Sequence, residues 1–211
     1  MSKNKYSMDM TTGVLFPKIL SFAFPLMVTG LLQIVYNAAD IMVVGRFAGS
    51  IYLAAVGATA TLVNLFLNLF LGLSMGSGVV VAKHIGAGDE ASVHRAVHSA
   101  MLLSLLSGIV IGILGICISG TALRFMGTPP EVLVLSTKYL RIFFLGTPAN
   151  MIFNYGASIL RATGDSKRPL YILTMTGILN VILNLIFVIK FHMNVAGVAL
   201  ATIISQYISN Y

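Results

Sequence analysis

Residues 19–44 read ILSFAFPLMVTGLLQIVYNAADIMVV, and Asp40 is the only formally charged side chain among them. A helix rising 1.5 Å per residue needs about 20 apolar residues to cross about 30 Å of hydrocarbon, and this run is longer than that. It lacks the alternation of the roughly 10-residue strands of a membrane barrel. Alone, behind Lys3 and Lys5, it would also fit a secretory leader. The rest of the chain excludes that reading, because apolar runs recur at 53–82, 97–123, 139–160, 170–189 and 195–211 with no aqueous domain between them. The expectation is an all-α polytopic membrane protein of five full spans and a sixth cut short at Tyr211.

Composition agrees. The 211 residues are 57% hydrophobic and 9% charged, where soluble domains carry about 25% charged residues, and mean hydropathy is +0.94. These values exclude a disordered chain, a disulfide-stapled module and a coiled coil. Thirteen Lys and Arg against six Asp and Glu give a net charge of +7. A pI near 9.7 taken alone would point to nucleic acid. In so apolar a chain the basic excess belongs at the membrane ends, facing anionic lipid, and no nucleic-acid partner is expected. The lone Cys117 has no disulfide partner and reads as a small buried hydrophobe.

The connections place the chain across the membrane. Turn-rich polar segments run from Lys83 to Glu90 and from Arg161 to Pro169, and Gly127-Thr128-Pro129-Pro130 breaks the chain between the third and fourth spans. Lys3, Lys5, Lys18, Lys83, Arg95, Arg161, Lys167 and Arg168 fall on one side, and Arg46, Arg124, Lys138, Arg141 and Lys190 on the other. The positive-inside rule puts the first group, and the N-terminus, in the cytoplasm. Residues 1–18 then form a cytoplasmic arm and residues 19–211 a six-helix lobe.

Polar side chains inside the spans carry the functional reading, since each is costly in hydrocarbon unless it meets a partner or a water-filled cavity. Gln33, Asn37 and Asp40 share one face of the first span. Asn64/Asn68, Asn150/Asn154 and Asn180/Asn184 repeat an i, i+4 spacing in the second, fourth and fifth spans, and Thr202/Gln206 do so in the sixth. The simplest packing turns all five stripes toward one interior and leaves the third span, with only Ser and Gly, at the periphery. Helix-to-helix glue worth about 0.6 kcal/mol per amide is the competing explanation for any one pair. Asp40 lies six residues from Arg46, roughly 9 Å deeper along a helix. Unless it pairs with Arg46, a carboxylate there either holds a proton or takes up a cation.

Pro25 and Pro148 each predict a kink. Gly72, Gly76 and Gly78 with Ser74 and Ser77, and likewise Gly108, Gly112 and Gly115, read as close-packing surfaces. His84, His94 and His98 lack nearby Cys or carboxylates of metal-binding geometry and read as a solvated basic loop; no metal site is expected. No nucleotide loop, zinc motif or nucleophile elbow is present. One acid without a nucleophile–base pair makes an enzyme the least favoured reading.

Several stretches, in order, resemble the prokaryotic branch of the MATE (multidrug and toxic compound extrusion) family. They are Ala23-Phe24-Pro25-Leu26, Tyr36-Asn37-Ala38-Ala39-Asp40 through Val44-Gly45-Arg46, and Ile85-Gly86-Ala87-Gly88-Asp89. Leu160-Arg161-Ala162-Thr163-Gly164-Asp165 to Pro169, and Gly197-Val198-Ala199-Leu200-Ala201-Thr202 to Gln206, complete the set. The resemblance implies the first six-helix lobe of a twelve-helix secondary antiporter in a prokaryotic plasma (inner) membrane, exporting organic cations in exchange for H+ or Na+ without a further cofactor. It places the cation or proton coupling site on Asp40, Asn154, Asn180, Asn184 and Thr202. Substrate would lie among Gln33, Tyr36, Asn37, Asn64, Asn68, Asn150, Tyr155 and Gln206, with Phe66 and Phe70. The chain departs from the family pattern at Asn184, where many members carry an acid, which favours a proton over sodium. It departs again in lacking the second lobe, so its expected partners are membrane lipid and either that lobe or a second copy of the chain. A truncated, non-transporting membrane polypeptide is the alternative.

Overall fold

The computed structural model describes residues 14–210. The arm as far as residue 13, with Lys3 and Lys5, and Tyr211 lie outside the described residues. The described elements are helices: α1 (Leu15–Val43), α2 (Ser50–Gly86), α3 (Glu90–Phe125), α4 (Pro130–Leu145), α5 (Thr147–Ala162), α6 (Lys167–Leu185) and α7 (Asn194–Ile208). Each of α1 and α6 widens into a single turn of π-helix, Val44–Ala48 and Ile186–Lys190. Four helices are long and apolar enough to span a membrane, five if α4 and α5 count as one bent span, and α7 is a shorter apolar helix of 15 residues. With Leu102, Leu106, Ile113 and Leu114 among many large apolar side chains turned outward, the chain is an integral membrane protein.

The two interior prolines act differently. At Pro148 the fourth span breaks: α4 and α5 meet at Gly146 with a bend of 48°. Proline has no N–H to donate, and its ring displaces the carbonyl of the residue four positions earlier. The glycines of α3 accept the distorted corner. A Cβ on Gly108 would come within 2.7 Å of Pro148 Cα, and one on Gly112 within 3.0 Å of the Phe144 carbonyl. The span also begins at Pro130 rather than near residue 139, because Pro130 starts a helix well at its first position. Pro25, by contrast, sits inside an unbroken α1, where the Thr29 hydroxyl donates to the Pro25 carbonyl at 2.7 Å.

Packing divides the lobe. Helices α2–α5 form one tight group, with buried Phe70, Met151 and Tyr155 in one cluster and Leu123, Leu140 and Phe144 in another. Helix α3 touches α2, α4 and α5, which places it on the far side from α1. Of the second-span glycines only Gly78 is a packing site, against Ser158; Gly72 and Gly76 face open space. Cys117 is exposed on α3 rather than buried, because Gly112, Gly115 and Ser119 occupy the inward face of that helix.

Helices α1, α6 and α7 form the second group. Helix α7 bridges to α4, and Val43, Val44, Ala55, Val56, Tyr139, Val188, Val195 and Val198 close the end of the lobe where both π-turns lie.

At the opposite end, two Gly-Asp dipeptides exchange one helix for the next. Gly88 (φ 69°) and Gly164 (φ 84°) take the left-handed conformation that closes α2 and α5. The following Asp then opens the next helix. Asp89 accepts the Ser92 N–H at 2.9 Å, and Asp165 accepts those of Lys167 and Arg168, both at 3.1 Å. Asp165 is buried and also pairs with Arg168 Nε at 3.0 Å. Asp89 is exposed, and its bonds to Ser92 hold its carboxyl below the usual value.

Candidate functional site

Between the two helix groups lies a cavity of about 190 Å³. Helix α1 contributes Gln33, Tyr36, Asn37 and Asp40; α5 contributes Asn150 and Asn154; α6 contributes Asn180; and α7 contributes Thr202 and Gln206. Four of the five polar stripes therefore converge. The cavity also takes in Thr176 and Gly177 of α6, and Ser205 and Ser209, which carry the α7 stripe through Thr202 and Gln206. Sequence reasoning passed over these. Their signal was weak, since Ser and Thr in membrane helices usually bond back to their own backbone, as Thr176 does to the Ile172 carbonyl at 2.9 Å.

Asp40 lies in the cavity wall. It pairs not with Arg46, which is exposed, but with the amide of Asn184, whose Nδ2 donates to Asp40 Oδ1. Asn184 is fully buried, and its Oδ1 accepts nothing from the described residues. Asn180, one turn away, fits the network in two settings. In one, its Nδ2 donates to Thr202 Oγ1 at 3.3 Å and its Oδ1 accepts from Asn184 Nδ2 at 3.2 Å. Turned over, its Nδ2 donates to Asp40 Oδ1 at 3.0 Å and its Oδ1 accepts the Thr202 N–H at 3.3 Å, while its Nδ2 faces Asn184 Nδ2 at 3.2 Å and the bond between the two amides is lost. The first setting puts an amide oxygen against a carboxyl oxygen, a contact that requires a proton between them. The second suits an ionised carboxylate, which only accepts. The turned-over setting brings both α6 amide nitrogens onto Asp40 Oδ1. On α5, Asn154 Nδ2 donates to Asn150 Oδ1 at 2.7 Å.

Several predicted cavity residues lie elsewhere. Asn64 and Asn68 are exposed on α2, where Asn68 Nδ2 donates to the Asn64 carbonyl at 2.8 Å; Leu67 and Leu71 line the cavity from that helix instead. Tyr155 is only 2% exposed and belongs to the core with Phe70. Phe66 packs edge-on to Phe144 with ring centroids 4.8 Å apart. These aromatics hold α2 against α4 and α5, because their faces of the helices point into the tight group. His94 and His98 stack with centroids 4.8 Å apart, and among the described residues no three His, Cys, Asp or Glu side chains converge.

The MatE family model matches residues 25–186, a range that takes in Asp40, both α6 amides and most of the cavity wall. The chain belongs to the MatE family. It is 30% identical over 198 residues to the probable multidrug resistance protein YpnP of Bacillus subtilis, covering 94% of this chain and 44% of that protein. Against the multidrug export protein MepA of Staphylococcus haemolyticus the identity is 28%, covering 92% and 43%. A multidrug resistance MATE family transporter of the MOP superfamily, solved in an outward-facing conformation, superposes with a TM-score of 0.85 at 30% identity, covering 92% of this chain and 43% of that one. The chain therefore spans less than half the length of the MatE relatives it matches.

Proposed function

We propose that this MatE chain forms the proton-coupling lobe of a secondary exporter of organic cations, and that it is a transport protein rather than an enzyme. The carrying observation is Asp40, an acid inside a membrane helix, gripped by an α6 amide at the wall of a cavity whose other lining residues are uncharged, amides and hydroxyls beside Leu67, Leu71, Phe153 and Leu173. When protonated, Asp40 donates to Asn180 Oδ1, and the Asn180 amide turns its nitrogen to Thr202. When the proton leaves, the amide turns over and both α6 residues donate to the carboxylate. An organic cation in the cavity favours the second state through its charge, and a proton entering from the other side favours release. Gln33, Tyr36, Asn37, Asn150, Asn154 and Gln206 orient the cation, while Thr202 relays the amide setting to α7. The names of the multidrug relatives support the substrate class, and the single carboxylate supports a proton as the coupling ion.

Alternating access needs a second body to move against. We place the partner on the open side of the cavity, as a second six-helix lobe or a second copy of this chain, with the N-terminus of α1 on the cytoplasmic side of a prokaryotic plasma membrane. The test is efflux of a fluorescent organic cation from cells producing the chain in its complete assembly, beside Asp40→Asn. Gradient-driven efflux should be lost in the variant. Efflux that persists in Asp40→Asn and still collapses with a protonophore would sink the assignment.

A further inference from the structure

Helix α1 leans on α6 through two successive rungs. One is Asp40 on Asn184. The other is Tyr36 on Gly177, and neither composition nor spacing marked it. A Cβ on Gly177 would overlap three atoms of the Tyr36 ring, Cζ, Cε1 and Cε2, and the Tyr36 hydroxyl donates to the Thr174 carbonyl at 3.2 Å. The phenol therefore lies across the 174–177 turn of α6, against backbone that a side chain at Gly177 would cover. Tyr36 is four residues before Asp40, and Gly177 is three before Asn180 and seven before Asn184, so both rungs lie on the same facing stripes. The rungs stand roughly 6 Å apart along α1.

We infer that Tyr36 seated on Gly177 is a positioning contact that sets the rotation and separation of α1 on α6, so that the Asp40 carboxyl reaches the Asn180/Asn184 amides. This rests on the proposed role of Asp40. A bulkier residue 177 lifts the ring and, with it, the next turn of α1. A smaller residue 36 removes the spacer and lets α1 turn. Either change loosens Asp40 from its donors without touching Asp40, Asn180 or Asn184.

The test needs no transport. A hydrophobic carbodiimide forms a stable adduct on carboxyl groups within the membrane, and the rate at Asp40 is read by mass spectrometry of the chain in phosphatidylcholine vesicles at one fixed pH. Gly177→Ala and Tyr36→Ala should each raise that rate about tenfold, and the double variant should label no faster than either single one, the signature of coupled residues. Tyr36→Phe, which keeps the ring, should stay within about twofold of wild type. If Gly177→Ala fails to fold, Tyr36→Ala and Tyr36→Phe carry the same comparison. Labelling at the wild-type rate in both Gly177→Ala and Tyr36→Ala, or additive effects in the double variant, would overturn the positioning role. Asn184→Ala separates the two levels. Faster labelling there with no change in the Gly177 and Tyr36 variants removes the rung and leaves the reading of Asp40 intact. An Asp40 that no variant brings into reaction overturns both.

Discussion

Helices α2 and α6 carry the same signature, two Asn four residues apart in an apolar run, and put it to opposite uses. Asn64 and Asn68 are exposed, and the bond they share closes on their own backbone. Asn180 and Asn184 are 7% and 0% exposed and bond across helices to Thr202 and Asp40. An i, i+4 spacing defines a face of a helix; it does not say what the face meets. In α6 the face meets α1, at the turn that carries Asp40.

Replacing Asn184 by Ala should be the most damaging change to either pair. It leaves the half-buried Asp40 carboxyl without its amide donor, a loss of about 1–3 kcal/mol, measurable as a drop in unfolding free energy in detergent. Gradient-driven efflux should fall with it. The paired change Asn64→Ala and Asn68→Ala removes only exposed amides and should stay within about 0.5 kcal/mol of wild type. A double variant in α2 as unstable as Asn184→Ala would erase the distinction between the two helices.

The two Gly-Asp turns repeat the lesson at the end of the lobe. Asp165 is buried, caps α6 and pairs with Arg168. Asp165→Ala should cost about 1–2 kcal/mol, the upper range for a lost cap, read in the same unfolding assay. Asp89 makes the same kind of cap in full exposure, and Asp89→Ala should lower the melting temperature less than Asp165→Ala does. Its dependence on pH has a fixed sign. The folded carboxyl titrates below the ordinary value of 3.8, so its contribution is complete above that value and fades as pH falls through the depressed one. Melting curves of wild type and Asp89→Ala should therefore converge in strong acid and separate above it.

The spans were legible because twenty-residue apolar runs have few other uses, and Asp40 was legible because an acid in such a run demands a partner. Four of the five polar stripes met at one cavity. What stayed hidden depended on neighbours. Pro25 and Pro148 look alike in sequence, but only Pro148 faces the glycines of α3, which admit a broken corner. Tyr155 and Phe70 read as cavity aromatics, yet their helix faces point into the α2–α5 core. Tyr36 was placed among the substrate residues, while its seat on Gly177 could be seen only once α1 and α6 were side by side.

Proton release on cation binding reaches the centre of this picture most directly. A weakly buffered detergent solution of the chain, titrated with a lipophilic organic cation in the presence of a pH dye, should give up about one proton for each cation bound, as expected when one carboxyl exchanges one charge for another. Release should vanish in Asp40→Asn and persist in Asn68→Ala. Equal release from wild type and Asp40→Asn, or cation binding by wild type with no proton released, would contradict Asp40 as the point of exchange.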